Sequence, residues 1–193
     1  MDKLDLLLHP VRLRIVWAMY GGRTRTTSDL CESLPDVPKA TLYRHVALLA
    51  EGGLLEIADE QRVRGVVERH YRLSRDGMAV DADAAKSMSL EDHRHGFAAA
   101  MAALLAEFNA YLDRDGADPF ADGVGYRQGL IWLNPNEHAE MIGELRQILA
   151  PRAANGPAPG RRPHLVSAIF FPTEEPSGLD LGNRPAGESA EGG

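Results

Sequence analysis

Cysteine is nearly missing from this sequence: Cys31 is the only one among 193 residues. One thiol closes no disulfide framework and completes no multi-cysteine zinc site, and a lone cysteine ordinarily behaves as a small apolar residue. Long uncharged apolar runs are missing as well. The opening MDKLDLLLHPVRLRIVWAMY sets acids beside its first apolar run and arginines inside the next, which excludes a signal peptide or a membrane span and leads us to expect a cytoplasmic chain. There is no nucleophile elbow, no H-E-x-x-H and no phosphate-cradling glycine loop. Aspartate, glutamate and histidine are scattered rather than paired, so no catalytic residue is assigned, no enzyme activity is expected, and no cofactor or metal is implied.

A surplus of positive charge is also lacking, the formal net charge being -7. The charge is unevenly spread. Residues 1–75 hold 12 Lys+Arg against 10 Asp+Glu, a net of +2, whereas residues 76–193 hold 9 against 18, a net of -9. An asymmetry of this kind points to two parts with different tasks. The 44% hydrophobic and 25% charged residues of the whole chain are those expected of a soluble globular protein, and its length allows one ordinary domain or two small ones.

In the first part, Pro10 suits the first turn of a helix running to about Tyr20, with Leu13, Val16, Trp17 and Tyr20 as its buried stripe, ended by Gly21-Gly22. Thr26 and Asp29 have the spacing of a capping box for a second helix, which ends near Leu34. After the short turn "PDVP" comes "KATLYRHVALLAEGGLLE", residues 39–56. Two helices joined by so short a turn form a helix-turn-helix. At 100° per residue Leu42, Val46 and Leu49 share a core face, while Ala40, Arg44 and Ala47 lie nearly opposite and Thr41 and Tyr43 flank them. Small alanines let a backbone approach a DNA groove, and an arginine between them can bond guanine O6 and N7 together. Lys39 in the first turn suits a phosphate. His45 leans inward, toward packing or a phosphate. Each residue also has a plainer role open to it: a solvated charge for Arg44, helix packing for Tyr43.

"LLEIA" then reads as a strand, "DEQRVRG" as a polar tip and "VVERHYRL" as the returning strand, with Val67, Tyr71 and Leu73 on one face. A hairpin directly after such a helix is a wing, here covering 59–66. Arg62 and Arg64 at its tip, with Arg69 and Arg72 on the return, are placed to follow phosphates or a narrow minor groove, unless they serve only solubility.

Taken in order, "HPVRLRIVWAM", "TTSDLCESL", "KATLYRHVALLAEGGLLE" and "VVERHYRLS" resemble the winged helix-turn-helix of ArsR-type transcriptional regulators over about residues 4–75. The resemblance implies a dimeric DNA-binding repressor or activator with Thr41, Tyr43 and Arg44 on the recognition helix. Many members of that family sense metals through cysteine pairs or through acid and histidine ligands on a C-terminal helix. Cys31 has no thiol partner, which argues against the thiolate version.

The second part opens with a small-residue connector over 76–88. Ser89 and Asp92 then cap a long helix to about Asp113, on which Phe97, Met101, Leu104, Leu105, Phe108 and Leu112 form a wide apolar stripe, the candidate dimer seam. Leu6 and Leu7 are expected to add to it. His93 and His95 point about 200° apart on a helix and cannot readily share an ion. "DRDGADPFADG" has its first glycine too early for a calcium loop. "GYRQGLIWLN" reads as a strand that could compete for the stripe, "NPNE" as a capped helix with Met141, Ile142, Leu145, Ile148 and Leu149 inside, and "HLVSAIFF" as a closing strand. Tyr126, Trp132 and Phe170 are candidates to line a small apolar pocket.

The fold class expected is therefore mostly α with α+β elements: a winged helix-turn-helix over 1–75, then a long dimerisation helix and a small strand-helix-strand module over 76–175 with a candidate small-molecule effector site, and a disordered tail over 176–193. The expected partners are double-stranded DNA bearing an inverted repeat and a second copy of the chain, with no membrane. A metal-responsive repressor and a winged-helix protein-interaction module that does not bind DNA are the alternatives.

Overall fold

The computed structural model describes residues 3–63, 66–74 and 86–174. The connector expected at 76–88 lies mostly outside them, and Arg64, Gly65 and the whole of the tail expected at 176–193 lie outside them as well. The chain divides into two units, Met1–Pro157 and Ala158–Gly193.

In the first unit, α1 (Lys3–Leu7) leads into α2 (Pro10–Met19), β1 (Arg25–Thr26), α3 (Thr27–Ser33), α4 (Lys39–Glu51), β2 (Leu55–Val63), β3 (Val66–Leu73), α5 (Leu90–Leu112) and α6 (Pro135–Ala153). Local signals set most helix starts. The His9 ring accepts from the Val11 amide and Pro10 needs no partner for its missing N–H. Thr26 with Asp29, Ser89 with Asp92 and Asn134 with Glu137 each close a capping box at the expected helix starts. Arg12, itself buried, ends α1 by donating to the carbonyls of Asp5 and Leu6, which places a cation where the helix carbonyls are unsatisfied.

The core gathers Leu6, Ile15, Val16, Met19, Leu30, Leu34, Leu42, Val46, Leu49, Leu54, Leu55 and Tyr71. It sits where α2, α3 and α4 meet the base of a three-stranded antiparallel sheet of order β1-β3-β2. Truncating a leucine as enclosed as Leu42 or Leu49 would cost about 2–5 kcal/mol. Gly53, at φ 72, adopts the left-handed turn after α4. Gly52 is required by proximity: a Cβ there would stand 2.0 Å from the Leu6 side chain, which the core holds in place.

Several expectations change. The buried face of α2 is Ile15, Val16 and Met19 with Arg12 and Arg14, while Tyr20 is exposed. The reason is that α2 is covered on two sides, by α3 and α4 and by α5, so no single stripe describes it. Leu6 is consumed by its own core and is not free for a partner. The hairpin ladder runs out to Val63↔Val66, past the polar residues read as a loop, with an irregularity between Ile57 and Asp59.

The long helix α5 does pack, but not through its bulky stripe. Ala99 and Ala103 are buried, and a Cβ on Gly96 would lie 2.9 Å from Leu8. This small-residue face lets α5 approach α2 closely. Beyond α5, Asp118 caps the turn at Phe120 and Ala121, and Tyr111 donates to Asp122. Neither residues 125–133 nor, in the second unit, residues 164–171 form a strand, and α6 has its expected apolar residues only half covered or exposed. A strand exists only where its N–H and C=O groups find a ladder partner, and apolar alternation cannot provide one. The expected strand-helix-strand module is thus a capped helix without its strands.

Candidate nucleic-acid interface

On α4 the sequence divides cleanly by face. Leu42, Val46 and Leu49 are buried as their spacing requires, and Lys39, Ala40, Tyr43, Arg44 and Ala47 are exposed, with Thr41 half-buried on the flank. Tyr43 is 53% exposed and does not pack into the core. The start of α4 also faces α3 across a shallow hollow lined by Ser28, Cys31, Glu32, Lys39 and Tyr43. Cys31 is half-buried there.

His45 must be corrected as a surface contact. At 100° per residue its position lies about 40° outside the arc of Leu42, Val46 and Leu49, yet it is buried, only 3% exposed. The ring lies 4.4 Å from that of His9, and neither of its nitrogens has a hydrogen-bond partner among the described residues. Burial, reinforced by His9, Arg12 and Arg44, pushes its pKa down to about 4. Burial lowers His9 also, with Arg12 and Arg44 adding to the effect. Both rings are therefore neutral at neutral pH, and His45 is a packing residue that sets α4 against the start of α2.

The hairpin projects Glu60, Gln61 and Arg62 into solvent. Arg69 bonds Glu60 at 2.9 Å and Arg72 bonds Glu56 at 2.6 Å. Both pairs are exposed and so weak, easily exchanged for a phosphate. Arg62, opposite Val67 near the far end of the ladder, is exposed with no such carboxylate partner among the described residues.

Residues 7–58 match the helix-turn-helix domain family. The matched stretch runs from the end of α1 to the irregular point in β2, so α3, the turn at 34–38 and α4 correspond to its helix-turn-helix, with α4 as the second helix. The hairpin beyond it has the position of a wing. No curated protein matches the chain. Among the described residues no helix is long and apolar enough to cross a membrane.

A feature that sequence reasoning missed sits behind α4. Arg14 of α2, only 3% exposed, donates through Nη1 and Nη2 to both carboxylate oxygens of Asp36 at 2.6 and 2.8 Å, and through Nε to Glu107 of α5 at 2.7 Å. The hydrogen bond to Asp36 raises the Arg14 pKa, and the same bond holds the Asp36 carboxyl below the usual range. Nothing local in "VRLRIV" signals this, because both partners are remote in sequence.

The residues proposed for a dimer seam, Phe97, Met101, Leu104, Leu105 and Phe108, lie about 150° around α5 from the small-residue face that meets α2. Phe97 and Leu105 are exposed, Met101 and Leu104 partly so, and Phe108 is met edge-on by Tyr126 of the same chain, at 6.3 Å between ring centroids. His93 and His95 are both exposed, and His95 pairs with Glu91 at 3.2 Å.

Proposed function

We propose that the chain is a cytoplasmic, ArsR-like transcriptional regulator that binds an inverted-repeat operator as a homodimer. The observation that carries this reading is the outer face of α4: an arginine between two alanines, flanked by Lys39, Thr41 and Tyr43, exposed on the recognition helix of a helix-turn-helix domain. Ala40 and Ala47 permit close approach to a major groove, Arg44 supplies bidentate contact to guanine, and Lys39 and Arg62 meet phosphates, with Arg69 and Arg72 available once their carboxylates are displaced. The outward stripe of α5 supplies the dimer seam. Helix α5 already has an intrachain seat through its small residues, and the exposure of Phe97 and Leu105 on its bulky side supports a second subunit docking there.

The test is binding to genomic fragments by gel shift and anisotropy. Arg44→Ala should cost specific binding about 1–3 kcal/mol. Arg62→Ala should weaken all sequences alike and lower the salt slope by about one unit. The absence of any specific complex for the wild type at low salt would refute the reading.

One observation favours a second reading, a protein-interaction module on the same fold: the wing arginines at 69 and 72 are matched by acids. That module would leave DNA affinity unchanged on Arg44→Ala.

A further inference from the structure

We propose that the Glu107–Arg14–Asp36 bridge is a positioning device that reports the seat of α5 to the N-terminal end of the recognition helix. The inference rests on the DNA-binding reading for its consequence, though not for its geometry. Asp36 lies in the turn immediately before α4, between Leu34 and the Pro38 N-cap. In that turn the Val37 amide donates to the Leu34 carbonyl, and the Leu42 amide to the Pro38 carbonyl, each at 3.0 Å. Glu107 is on α5, on the side that faces α2. Arg14, between them, is buried and fixed by three charge-assisted hydrogen bonds.

The planar guanidinium explains why the three groups act together. Two of its edges are occupied by two carboxylates on different elements, so a shift of either carboxylate turns the plane and disturbs the other. A buried cation cannot be left half-paired without a large penalty, so the bridge moves as a unit. Anything that displaces α5, such as a second subunit docking on its bulky face, is therefore felt at the turn that aims Lys39, Thr41 and Tyr43. Because coupling between two sites is reciprocal, a change at the turn must also reach α5.

Hydrogen exchange on the full chain tests this directly. Glu107→Gln keeps the shape and removes the charge. It should speed exchange at Val37 and Leu42 at least fivefold, while Val46 and Leu49, farther along the same helix, change less than twofold. Asp36→Asn alters a side chain that is 52% exposed and is the variant less apt to unfold. It should speed exchange at the α5 amides around Ala103 to Glu107, on the opposite side of Arg14. Equal acceleration along all of α4, or no change at Val37 and Leu42, would overturn the proposal in favour of a merely structural ion pair. In the DNA arm, Glu107→Gln should lower affinity for a selected specific duplex three- to tenfold and leave a scrambled duplex unaffected. Failure of the wild type to bind any duplex specifically would refute the DNA-binding reading, and the exchange results would still decide the coupling.

Discussion

At the scale of single residues, His45 makes acid stability a readable property. Its folded pKa of about 4 lies well below the unfolded value of about 6.5. The unfolded chain therefore binds the proton first, so stability is full above pH 6.5 and declines as pH falls toward 4. His9, lowered by the same burial and the same arginines, works in the same direction. Asp36, whose pKa is depressed by Arg14, adds a further loss as the pH drops below the ordinary carboxylate range near 4. Thermal melts of His45→Leu should show a flatter pH profile than wild type, with the difference at pH 5 worth about 1–2 kcal/mol in favour of the variant. A wild-type melting temperature that is constant between pH 7 and pH 5 would contradict the buried neutral pair. The inward lean of His45 was legible in the helix period. Its His9 partner was not, because contacts between α4 and the start of α2 leave no mark on local periodicity.

At the scale of elements, α5 shows what pattern reading captures and what it overlooks. Phe97, Met101, Leu104, Leu105 and Phe108 stand out because they are large and recur at three- and four-residue spacing. The opposing set of Gly96, Ala99 and Ala103 is silent in a hydrophobic pattern, although it decides which side of the helix meets α2. Ala103→Leu should therefore overpack that contact and cost about 1–3 kcal/mol, measured by denaturant unfolding. Leu105→Glu, at a position 61% exposed, should leave the stability of the single chain within about 0.5 kcal/mol. If Ala103→Leu proves as harmless as Leu105→Glu, α5 does not seat through its small face. The capping boxes at Thr26, Ser89 and Asn134 were legible because each is closed by side chains three residues apart. The strands expected at 125–133 and 164–171 were not correctly read, since strand formation depends on a remote partner that the sequence does not name.

At the scale of the whole molecule, the proposed function requires a dimer, because one recognition helix with a single guanine-contacting arginine is too little for nanomolar specificity and two copies related by a dyad would supply it. The bulky face of α5 is the surface proposed to serve this need. Met101→Glu combined with Leu105→Glu should convert a dimer, about twice the 21.0 kDa chain, into a monomer by light scattering while the fold persists. A wild type that is already monomeric at micromolar concentration contradicts the seam. The helix-turn-helix was legible over most of its length because caps, turns and core spacing agree there. The proposal that α4 reads DNA is tested most directly by selection from a pool of random duplexes at low salt with the full chain. Selected duplexes should carry two inverted half-sites whose centres lie one helical turn apart, about 34–36 Å, and Arg44→Ala should erase the enrichment. A pool that emerges with no enriched sequence, or one enriched equally by Arg44→Ala, would contradict it.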